Sequence, residues 1–463
     1  MPADLPMILL VLFAALLREA MWIVGFLILL NGVDELLVDL ALPFAWARAR
    51  LAGLPPPQAN VGRFAILVPA WQESAVIAPM LRSLLERVDH PDYRVHVGVY
   101  PNDPATAAEV RAVGDPRLLL VETGQPGPTT KADCLNHLWR SVLAEEARSG
   151  RQVGAIVLHD AEDVVHPQEL RLFARALAGH AMVQIPVIPL VERWGSLVAG
   201  HYLDEFAINH ARDMVVRTAL GAPVPSAGVG TAIRRDAMQA LDAGSGTPFD
   251  PESLTEDYEI GYRLHAMGFK AAMIRHRERG ELVAVHEYFP DRLDAAVRQK
   301  ARWLNGIALS GWDRLGWTRQ PMAAWMMMRD RKAIPMAVVA VAGYLILGLG
   351  LLAILAGRAL GLPPGAGPVM LDPQADRALL FLLGLTGLLL AWRLLFLIIA
   401  TWRAAGPVEA MLAVPRAPVG NLVNALAAVR AFGRYRDAMA RGEAIAWEKT
   451  AHRFPESVPA PHG

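Results

Sequence analysis

The chain is poor in cysteine and has no excess of either charge. Its 463 residues include one cysteine, Cys134, which excludes an intramolecular disulfide and a thiolate zinc cluster. We expect Cys134 to be a small core residue. The 45 lysines and arginines balance the 45 aspartates and glutamates, so net charge gives no support to nucleic-acid binding. The sequence also has no internal repeat and no long low-complexity tract.

Hydrophobic residues make up 54% of the chain and concentrate near its two ends. Three stretches are long enough to cross a bilayer, namely 20–40, 334–356 and 378–402. The residues before 20 are expected to lie at the interface or to extend the first helix, and no signal-peptidase site follows them. A further span within 408–430 stays open. Arg393 either snorkels to the nearer end of its span or faces another helix.

Basic residues flank these spans. They are Arg48, Arg50 and Arg63 after the first span, Arg329, Arg331 and Lys332 before the second, and Arg403 after the third. The positive-inside rule makes them cytoplasmic and puts the 357–377 linker in the periplasm of a bacterial cell. The predicted segments are 1–50 (N-terminal transmembrane and interfacial helix), 60–312 (cytoplasmic domain), 313–333 (interfacial segment), 334–403 (two transmembrane helices) and 404–463 (interfacial or cytoplasmic tail).

The middle of the chain alternates strand-like and helix-like segments. Apolar, strand-like runs at 63–70, 93–100, 117–123 and 153–160 are separated by segments of helical periodicity. This alternation predicts an α/β fold with a parallel sheet and helices on its faces. Ligands bind beyond the carboxyl ends of the strands in such sheets. We therefore expect the residues that follow the strands to line one crevice, namely Pro69, Asn102, Asp103 and Asp160.

The sequence HDAED at 159–163 follows the apolar run GAIVL and places Asp160, Glu162 and Asp163 at the end of a strand. Such a carboxylate cluster is costly unless a positive group lies within it. Oxygen ligands suit Mg²⁺ or Mn²⁺, which a substrate diphosphate could share. A solvated acidic loop or helix start is the alternative. His159 and Asp160 also spell the dyad of metal-dependent phosphohydrolases, but those dyads lie on helices, whereas this one ends a strand.

Three further stretches carry groups suited to a nucleotide or a sugar. Asp103, in VGVYPNDPAT, could bind a base or ribose, or form an ordinary turn. Lys131, in GPTTKADCLN, begins a helix, where its charge beside the first amides suits phosphate; a plain surface lysine is the alternative. The loop at 225–238 lacks the lysine of a P-loop, and its Gly228 and Gly230 would either let a sugar approach closely or form a plain turn.

Two later stretches begin or form amphipathic helices. LTEDYEIGYRLHAMG places a hydroxyl and two carboxylates at a helix start, Thr255, Glu256 and Asp257. Helix capping and the helix dipole explain all three, and a general base for a hydroxyl proton fits as well. AVRQKARWLNGI puts polar and aromatic side chains on adjacent turns, Gln299, Arg302 and Trp303. Arginine binds diphosphate and tryptophan packs on sugars; an interfacial helix before the membrane is the alternative.

The order of these stretches resembles that of the processive, inverting family 2 glycosyltransferases, the group of cellulose and hyaluronan synthases. That family has a first strand, a base-binding Asp, a Lys-Ala motif, an Asp-x-Asp metal motif, a Thr-Glu-Asp motif and a Gln-x-x-Arg-Trp motif. The counterparts here are VPAWQES, Asp103, TKADCLN, DAED, TED and QKARW. The resemblance covers roughly residues 60–310. Glu162 replaces the second metal Asp, so Glu162 or Asp163 would complete the site, and Lys300 replaces a common Gln or Arg.

Within that family, the chain looks closest to the NfrB-like branch, the phage-adsorption protein B group. The stretches YPNDPAT, HDAEDVVHP, AVPRAPVGN and WEKTAHRFP carry this likeness. Members of the branch often continue into a C-terminal module that binds cyclic di-GMP. Because the sequence ends at residue 463, we expect that module to be absent.

The resemblance implies a GT-A (Rossmann-like) domain that uses a nucleotide sugar, expected to be UDP-linked. The implied donor site comprises Pro69, Glu73, Asp103 (holding the uridine), Lys131, Asp160 and Arg302. The implied ligands of Mg²⁺ or Mn²⁺ are Asp160 with Glu162 or Asp163. The implied catalytic residues are Asp257, as general base, and Glu256. The implied acceptor site comprises Gln299, Trp303, Gly228 and Gly230.

The resemblance also implies partners and a location. The acceptor would be a glycan or a lipid-linked sugar, and the protein would contact lipids as a multi-pass protein of the bacterial inner membrane. A homo-oligomer, or an export partner in the periplasm or outer membrane, is expected, and a nucleic-acid partner is not. Two other classes stay open. One is a membrane receptor or assembly protein with a vestigial site, and the other is a metal-dependent phosphohydrolase that uses HDAED.

Overall fold

The computed structural model describes residues 4–54, 62–192, 196–359, 376–443, 445 and 452–455. It begins with one long helix, α1 (Asp4–Ala52), so the residues before the predicted first span extend that helix. Most of the predicted 357–377 linker, and the tail beyond 455, lie outside the described residues.

Alternating strands and helices follow, as the sequence predicted. Their bounds are β1 (Arg63–Pro69), α2 (Ile77–Arg87), β2 (Tyr93–Val99), α3 (Pro104–Val113), β3 (Leu118–Glu122), α4 (Lys131–Ser149), β4 (Val153–Leu158) and α5 (Glu169–Ala176). Successive side chains of a strand point to opposite faces of the sheet. In β1, Ile66 packs into the core on the α2 side, while Leu67 packs into the core that contains Trp139 of α4. Helices therefore bury both faces of the sheet, which explains the continuous apolar strands.

The second half of the domain has shorter elements. They are β5 (Met182–Gln184), β6 (Val187–Leu190), α6 (Leu197–Ile208), a π-helical turn (Asn209–Asp213), α7 (Met214–Leu220), β7 (Thr231–Arg234), α8 (Arg235–Asp242), α9 (Glu256–Ala266), β8 (Ala271–Met273), β9 (Arg277–Glu278), β10 (Glu281–Leu282), β11 (Val285–Tyr288), α10 (Leu293–Leu304), a second π-helical turn (Asn305–Leu309), α11 (Ser310–Leu315) and α12 (Pro321–Arg331).

The seven-stranded sheet has the order β3-β2-β1-β4-β7-β5-β8. Strands β1 to β4 are parallel, but β7 is antiparallel to both of its neighbours. The prediction of a parallel sheet is therefore right for the first four strands and wrong for the whole sheet. Pro69 of β1 pairs with Gly98 of β2, and Leu67 of β1 pairs with Leu158 of β4. The carboxyl ends of these three strands consequently open at one edge.

Four described helices are long and apolar enough to cross a membrane: α1, α13 (Ala333–Ala359), α14 (Arg377–Ala405) and α15 (Pro407–Arg441). The sequence predicted three spans and left the fourth, within 408–430, open. Gly32 of α1 lies against Leu389 of α14, as small residues do where apolar helices pack closely. Arg393 of α14 lies 3.3 Å from Glu35 of α1, so this arginine faces another helix.

Helix α15 joins the apolar helices to the α/β domain. Ala413 packs with Ala207 of α6 and with α14, whereas Ala427, about four helical turns further on, packs with Ala301 of α10. Between them, the fully buried Arg416 donates hydrogen bonds of 2.8 and 2.9 Å to Asp204 of α6. The helix is therefore fastened to the domain along much of its length.

Acidic residues of α1 bind basic residues of the domain. Arg212, in the π-helical turn after α6, donates a 2.9 Å hydrogen bond to Asp39, and Arg329 of α12 lies 2.5 Å from Asp34. Lys332 also pairs with Asp34. These ion pairs are largely buried, so they hold α1 against the domain in a fixed register.

A candidate active site at the ends of the strands

The carboxyl ends of β1 and β4 open into a cavity of about 130 Å³, here called the strand-end cavity. Most of the predicted site residues line it, namely Pro69, Glu73, Lys131, Asp160, Glu162, Glu256, Asp257, Gln299, Arg302 and Trp303. The other predicted residues, Asp103, Asp163, Gly228 and Gly230, are not part of this lining. The fold thus brings residues from β1, α4, the turn after β4, α9 and α10 to one place.

Lys131 supplies the positive charge next to the first carboxylate of HDAED. Its Nζ lies 2.5 Å from Asp160 Oδ1 and donates a 3.3 Å hydrogen bond to the Gly228 carbonyl. Burial alone would lower the pKa of Lys131, but Asp160, Glu256 and Asp257 outweigh it and raise that pKa above its ordinary value. Lys131 is therefore a permanent cation in the cavity, at the start of α4.

The second carboxylate of HDAED faces a histidine from the far end of the chain. His452 Nδ1 lies 3.2 Å from Glu162 Oε1 and 2.8 Å from Glu73 Oε1. Burial would lower the pKa of His452, but Glu162 and Glu73 raise it to about 9. Burial and the neighbouring carboxylates Asp160 and Glu73 in turn raise the pKa of Glu162, although His452 opposes them.

These three side chains fit a divalent cation. One ligand atom from each of Glu73, Glu162 and His452 lies within 4.8 Å of the others. The second oxygen of Glu162, Oε2, is buried and has no hydrogen-bond partner among the described residues. Carboxylate oxygens with an imidazole nitrogen, which gives up its proton when it binds a metal, suit Mn²⁺, and the oxygens alone suit Mg²⁺. A cation would also relieve the mutual repulsion of Glu73 and Glu162.

The third carboxylate of HDAED points into the protein. Asp163 Oδ2 lies 2.7 Å from His159 Nδ1, and the other ring nitrogen of His159 lies 2.7 Å from Glu169 Oε1. With both nitrogens engaged, His159 has none free for a metal, so the geometry does not form the phosphohydrolase dyad. A role for Asp163 as a cation ligand stays a prediction. Its Oδ2 atom is the oxygen that contacts His159.

Asp257 lies in the first turn of α9, where its Oδ1 accepts a 2.7 Å hydrogen bond from the Tyr258 N–H. Burial raises the pKa of Asp257, and the Lys131 ammonium opposes this shift. Glu256 beside it also lines the cavity, and burial raises its pKa to about 7. Thr255 stands at the N-cap position, but its side chain makes no capping hydrogen bond. Capping by Thr255 is therefore wrong as an explanation of this motif.

The two predicted glycines have different surroundings. Gly228 has φ +80°, and a Cβ at this position would lie 2.8 Å from Asp257 Oδ2 and 3.2 Å from Lys131 Nζ. Gly230 has φ +56° and faces Val285 and Ile185 in the core instead. Gly228 is thus the glycine that lets the loop approach the carboxylate of Asp257.

Asp103 has the geometry of a helix cap. Its Oδ1 accepts a 3.3 Å hydrogen bond from the Thr106 N–H at the start of α3, and its Oδ2 accepts one of 2.6 Å from the Gln72 N–H. Gln72 has φ +54°, a conformation that needs such support. Asp103 thus fixes the loop that carries Trp71 and Glu73 into the cavity, and its contact with a base stays a prediction.

Helix α10 presents Gln299, Arg302 and Trp303 to the cavity. The Gln299 Oε1 atom is buried without a hydrogen-bond partner among the described residues, so it is available to a ligand hydroxyl. Trp303 packs edge-to-face against Phe289, with ring centroids 6.3 Å apart, which fixes the indole at the cavity wall. Lys300 faces away and bonds to Asn424 Oδ1 of α15 at 2.9 Å.

Several lining residues were missed by the sequence analysis. Trp71 and Tyr100 form an edge-to-face pair with ring centroids 4.9 Å apart at one end of the cavity, a surface suited to a planar base. Glu287, at the end of β11, adds a carboxylate near Glu162. His452 lies in the WEKTAHRFP stretch, which carries the likeness to the NfrB-like branch but was not predicted to be part of the site.

Comparison with known proteins shows the family of the chain. The profile of the family described as "Glycosyltransferase like family 2" matches residues 61–306. The chain is 37% identical over 413 residues to bacteriophage adsorption protein B of Escherichia coli K12 and to bacteriophage N4 adsorption protein B of Escherichia coli O157:H7. Each alignment covers 84% of this chain and 55% of the relative, so the chain spans about half the length of these relatives.

Among solved structures, the fold is similar to that of a mannosyltransferase from Pyrobaculum calidifontis, determined with GDP-Man and Mn²⁺. The TM-score is 0.52 at 17% identity, and the match covers 91% of this chain and 99% of that one. This likeness concerns the fold alone. The chain therefore belongs to the glycosyltransferase family 2-like proteins and has their GT-A fold.

Proposed function

We propose that the protein is a membrane-bound, inverting glycosyltransferase that moves a sugar from a nucleotide donor, UDP-linked, to a glycan acceptor. One observation carries the proposal: a partly buried carboxylate, Asp257, shares a small cavity with cations that suit a diphosphate, Lys131 and Arg302, and with a cluster that suits a metal. A sugar transferase needs these three functions within one cavity.

The donor would bind at the strand ends. Its base would lie against Trp71 and Tyr100, while Lys131 and Arg302 would bind the diphosphate through charge-assisted hydrogen bonds. Glu73, Glu162 and His452, with Asp160 beside them, would hold Mn²⁺ or Mg²⁺, which would neutralise charge on the leaving diphosphate. The Mn²⁺ and GDP-Man of the archaeal mannosyltransferase agree with this kind of donor.

Asp257 would act on the acceptor. As general base it would take the proton of the attacking hydroxyl while the new bond forms at the anomeric carbon, opposite the leaving diphosphate. Because Gly228 has no side chain, it leaves room beside the Oδ2 atom of Asp257 for that hydroxyl. Gln299 Oε1 and the indole of Trp303 would orient the acceptor ring through a hydrogen bond and an apolar face.

A second cavity supports a glycan acceptor over a lipid tail. This membrane-side cavity of about 630 Å³ shares Thr255, Asp257 and Trp303 with the strand-end cavity. It extends to the apolar helices, where polar side chains line it, including Asn31, Glu35, Arg393, Asn421 and Asn424. Amide and charged groups can bind the hydroxyl groups of a glycan, whereas acyl chains form no hydrogen bonds with them.

The location follows from the charge distribution. Basic residues beside the spans would place the α/β domain on the cytoplasmic side of the bacterial inner membrane, where nucleotide sugars are made. The name of the Escherichia coli relatives suggests that the product, or the protein, contributes to phage adsorption. A receptor with a vestigial site would show no turnover, so the same assay separates the two functions.

The test is UDP release by the detergent-solubilised full chain with a panel of UDP-sugars, with and without Mn²⁺ or Mg²⁺. We expect metal-dependent turnover of one sugar, with a loss of about 10²- to 10⁴-fold in Asp257→Asn. UDP binding should survive in that variant, because Asp257 contacts the acceptor. Asp236→Asn, an exposed carboxylate paired with Arg234, is the matched control. Turnover that Asp257→Asn leaves intact would contradict the proposed base.

A further inference from the structure

Behind the strand-end cavity lies a fully buried trio of side chains, His159, Asp163 and Glu169, here called the buried trio. All three have no exposed side-chain area. His159 joins the two carboxylates, with Nδ1 2.7 Å from Asp163 Oδ2 and Nε2 2.7 Å from Glu169 Oε1. Two carboxylates without donors would be costly at this depth, and the imidazole between them removes much of that cost.

Asp163 also closes the turn that carries the other two carboxylates of HDAED. Its Oδ2 accepts a 3.0 Å hydrogen bond from the Asp160 N–H, and its own N–H donates a 3.3 Å hydrogen bond to the Asp160 carbonyl. Asp160 and Glu162 lie within this turn and line the cavity, whereas Asp163 does not. The side chain of Asp163 therefore holds the backbone from which the two cavity-facing carboxylates project.

We propose that the buried trio is a positioning device for the cation-binding turn, and that Asp163 acts through Asp160 and Glu162 without ligating the cation. This inference rests on the proposed function, because it presupposes that Glu162 binds a divalent cation. Groups that orient metal ligands from behind affect metal affinity and activity by about 10- to 100-fold when removed. The hydrogen bonds of the trio lie entirely within the protein, so the turn is held in place before a cation arrives.

The opposite role for Asp163 is a third carboxylate ligand. Its Oδ1 is buried without a hydrogen-bond partner among the described residues, so an oxygen is available in principle. The two roles respond differently to Asp163→Asn. The amide oxygen can take the place of Oδ2 and accept from both the Asp160 N–H and the Nδ1–H of His159, while the NH₂ group takes the place of the unpartnered Oδ1. Asp163→Asn should therefore preserve the shape of the turn. If Asp163 were a cation ligand, the same change would remove its negative charge.

The experiment is Mn²⁺ binding to the detergent-solubilised full chain in the presence of UDP, followed by the electron paramagnetic resonance of free Mn²⁺. We expect Asp163→Asn to bind within about threefold of the wild type, and Asp163→Ala, which removes both hydrogen bonds, to bind about 10- to 100-fold more weakly. Glu162→Gln, a change to a proposed ligand, should also bind at least tenfold more weakly. Thermal unfolding of each variant checks that it is folded.

Two results would overturn the positioning role. One is an Asp163→Asn variant that loses as much Mn²⁺ affinity as Glu162→Gln, and the other is an Asp163→Ala variant that loses none. Should Asp163→Ala fail to fold, the comparison of Asp163→Asn with Glu162→Gln still decides. A wild type that binds no Mn²⁺ overturns both this inference and the proposed metal site, whereas Mn²⁺ binding without sugar transfer contradicts the proposed function alone.

Discussion

His452 Nδ1 lies 3.2 Å from Glu162 Oε1, so a segment that follows all of the long apolar helices reaches the turn after β4. Phe454, two residues later, packs against the main core of the α/β domain. The same histidine contacts Glu73, four residues after the end of β1. Three distant parts of the chain therefore meet at one point of the candidate site, and the contribution of the last part is open to direct test.

His452→Ala should weaken Mn²⁺ binding in the presence of UDP by about 10- to 100-fold, because it removes the only nitrogen of the proposed ligand set. Arg453→Ala is the matched control, since the neighbouring Arg453 is exposed and pairs with Glu192 away from the cavity. Isothermal titration calorimetry with MnCl₂ would measure both. Equal Mn²⁺ affinity in the two variants would show that His452 is not a ligand.

The pH dependence of kcat/KM should reveal the titration of Asp257, the proposed general base. A general base must be unprotonated, so activity falls as the pH drops through its pKa. Burial raises that pKa above the ordinary 3.8, and Lys131 opposes the shift. The acidic limb should therefore lie above pH 3.8 and move to higher pH in the residual activity of Lys131→Met. Lys270→Met, at an exposed position, is the control. An acidic limb that Lys131→Met does not move would contradict this assignment.

Gly228→Ala should reduce kcat by about tenfold or more, because small displacements of reacting groups are costly in rate. The Cβ of the introduced alanine would lie 2.8 Å from Asp257 Oδ2. Gly221→Ala is a matched control for backbone strain, because Gly221 has φ +65° and a Cβ there would meet no atom of the described residues within 4 Å. Both variants should lose similar stability in thermal unfolding, while the loss of kcat should be confined to Gly228→Ala. Equal activity of the two variants would contradict the close approach.

Arg416→Ala should destabilise the protein in detergent by about 3–5 kcal/mol, because it leaves the carboxylate of Asp204 buried without its partner. Arg436→Ala, in the same helix, removes an exposed arginine that pairs with Asp437 and should change stability little. Chemical unfolding followed by tryptophan fluorescence would compare the variants. A similar loss in both would show that the Arg416–Asp204 pair does not fasten α15 to the domain.

Much of the sheet could be predicted from the sequence. The strands β1 to β4 are continuous apolar runs bounded by turns, and their bounds agree closely with those in the structure. The direction of β7 was not predictable in the same way. Its four residues are too few for a periodicity, and its orientation depends on the path of the chain through α6 and α7.

The site was predictable where a strand or helix end fixes the residue, as for Asp160 and Asp257. The site was less predictable where the carboxylate of a short side chain can bind either a ligand or a nearby backbone N–H group. Asp103 and Asp163 both bond to backbone N–H groups, a preference that a motif cannot reveal. His452 was missed because its stretch has neither periodicity nor neighbouring ligands in the sequence.

The attachment of α1 and α15 to the domain has a geometrical consequence. Ion pairs hold α1 at Arg212 and Arg329, and α15 packs on both α6 and α10. These contacts hold α10, the helix that carries Trp303, in a fixed position relative to the apolar helices. For the proposed reaction, Asp257 would stand at a constant height above the bilayer. An acceptor that receives a second sugar would then have to move relative to this fixed carboxylate.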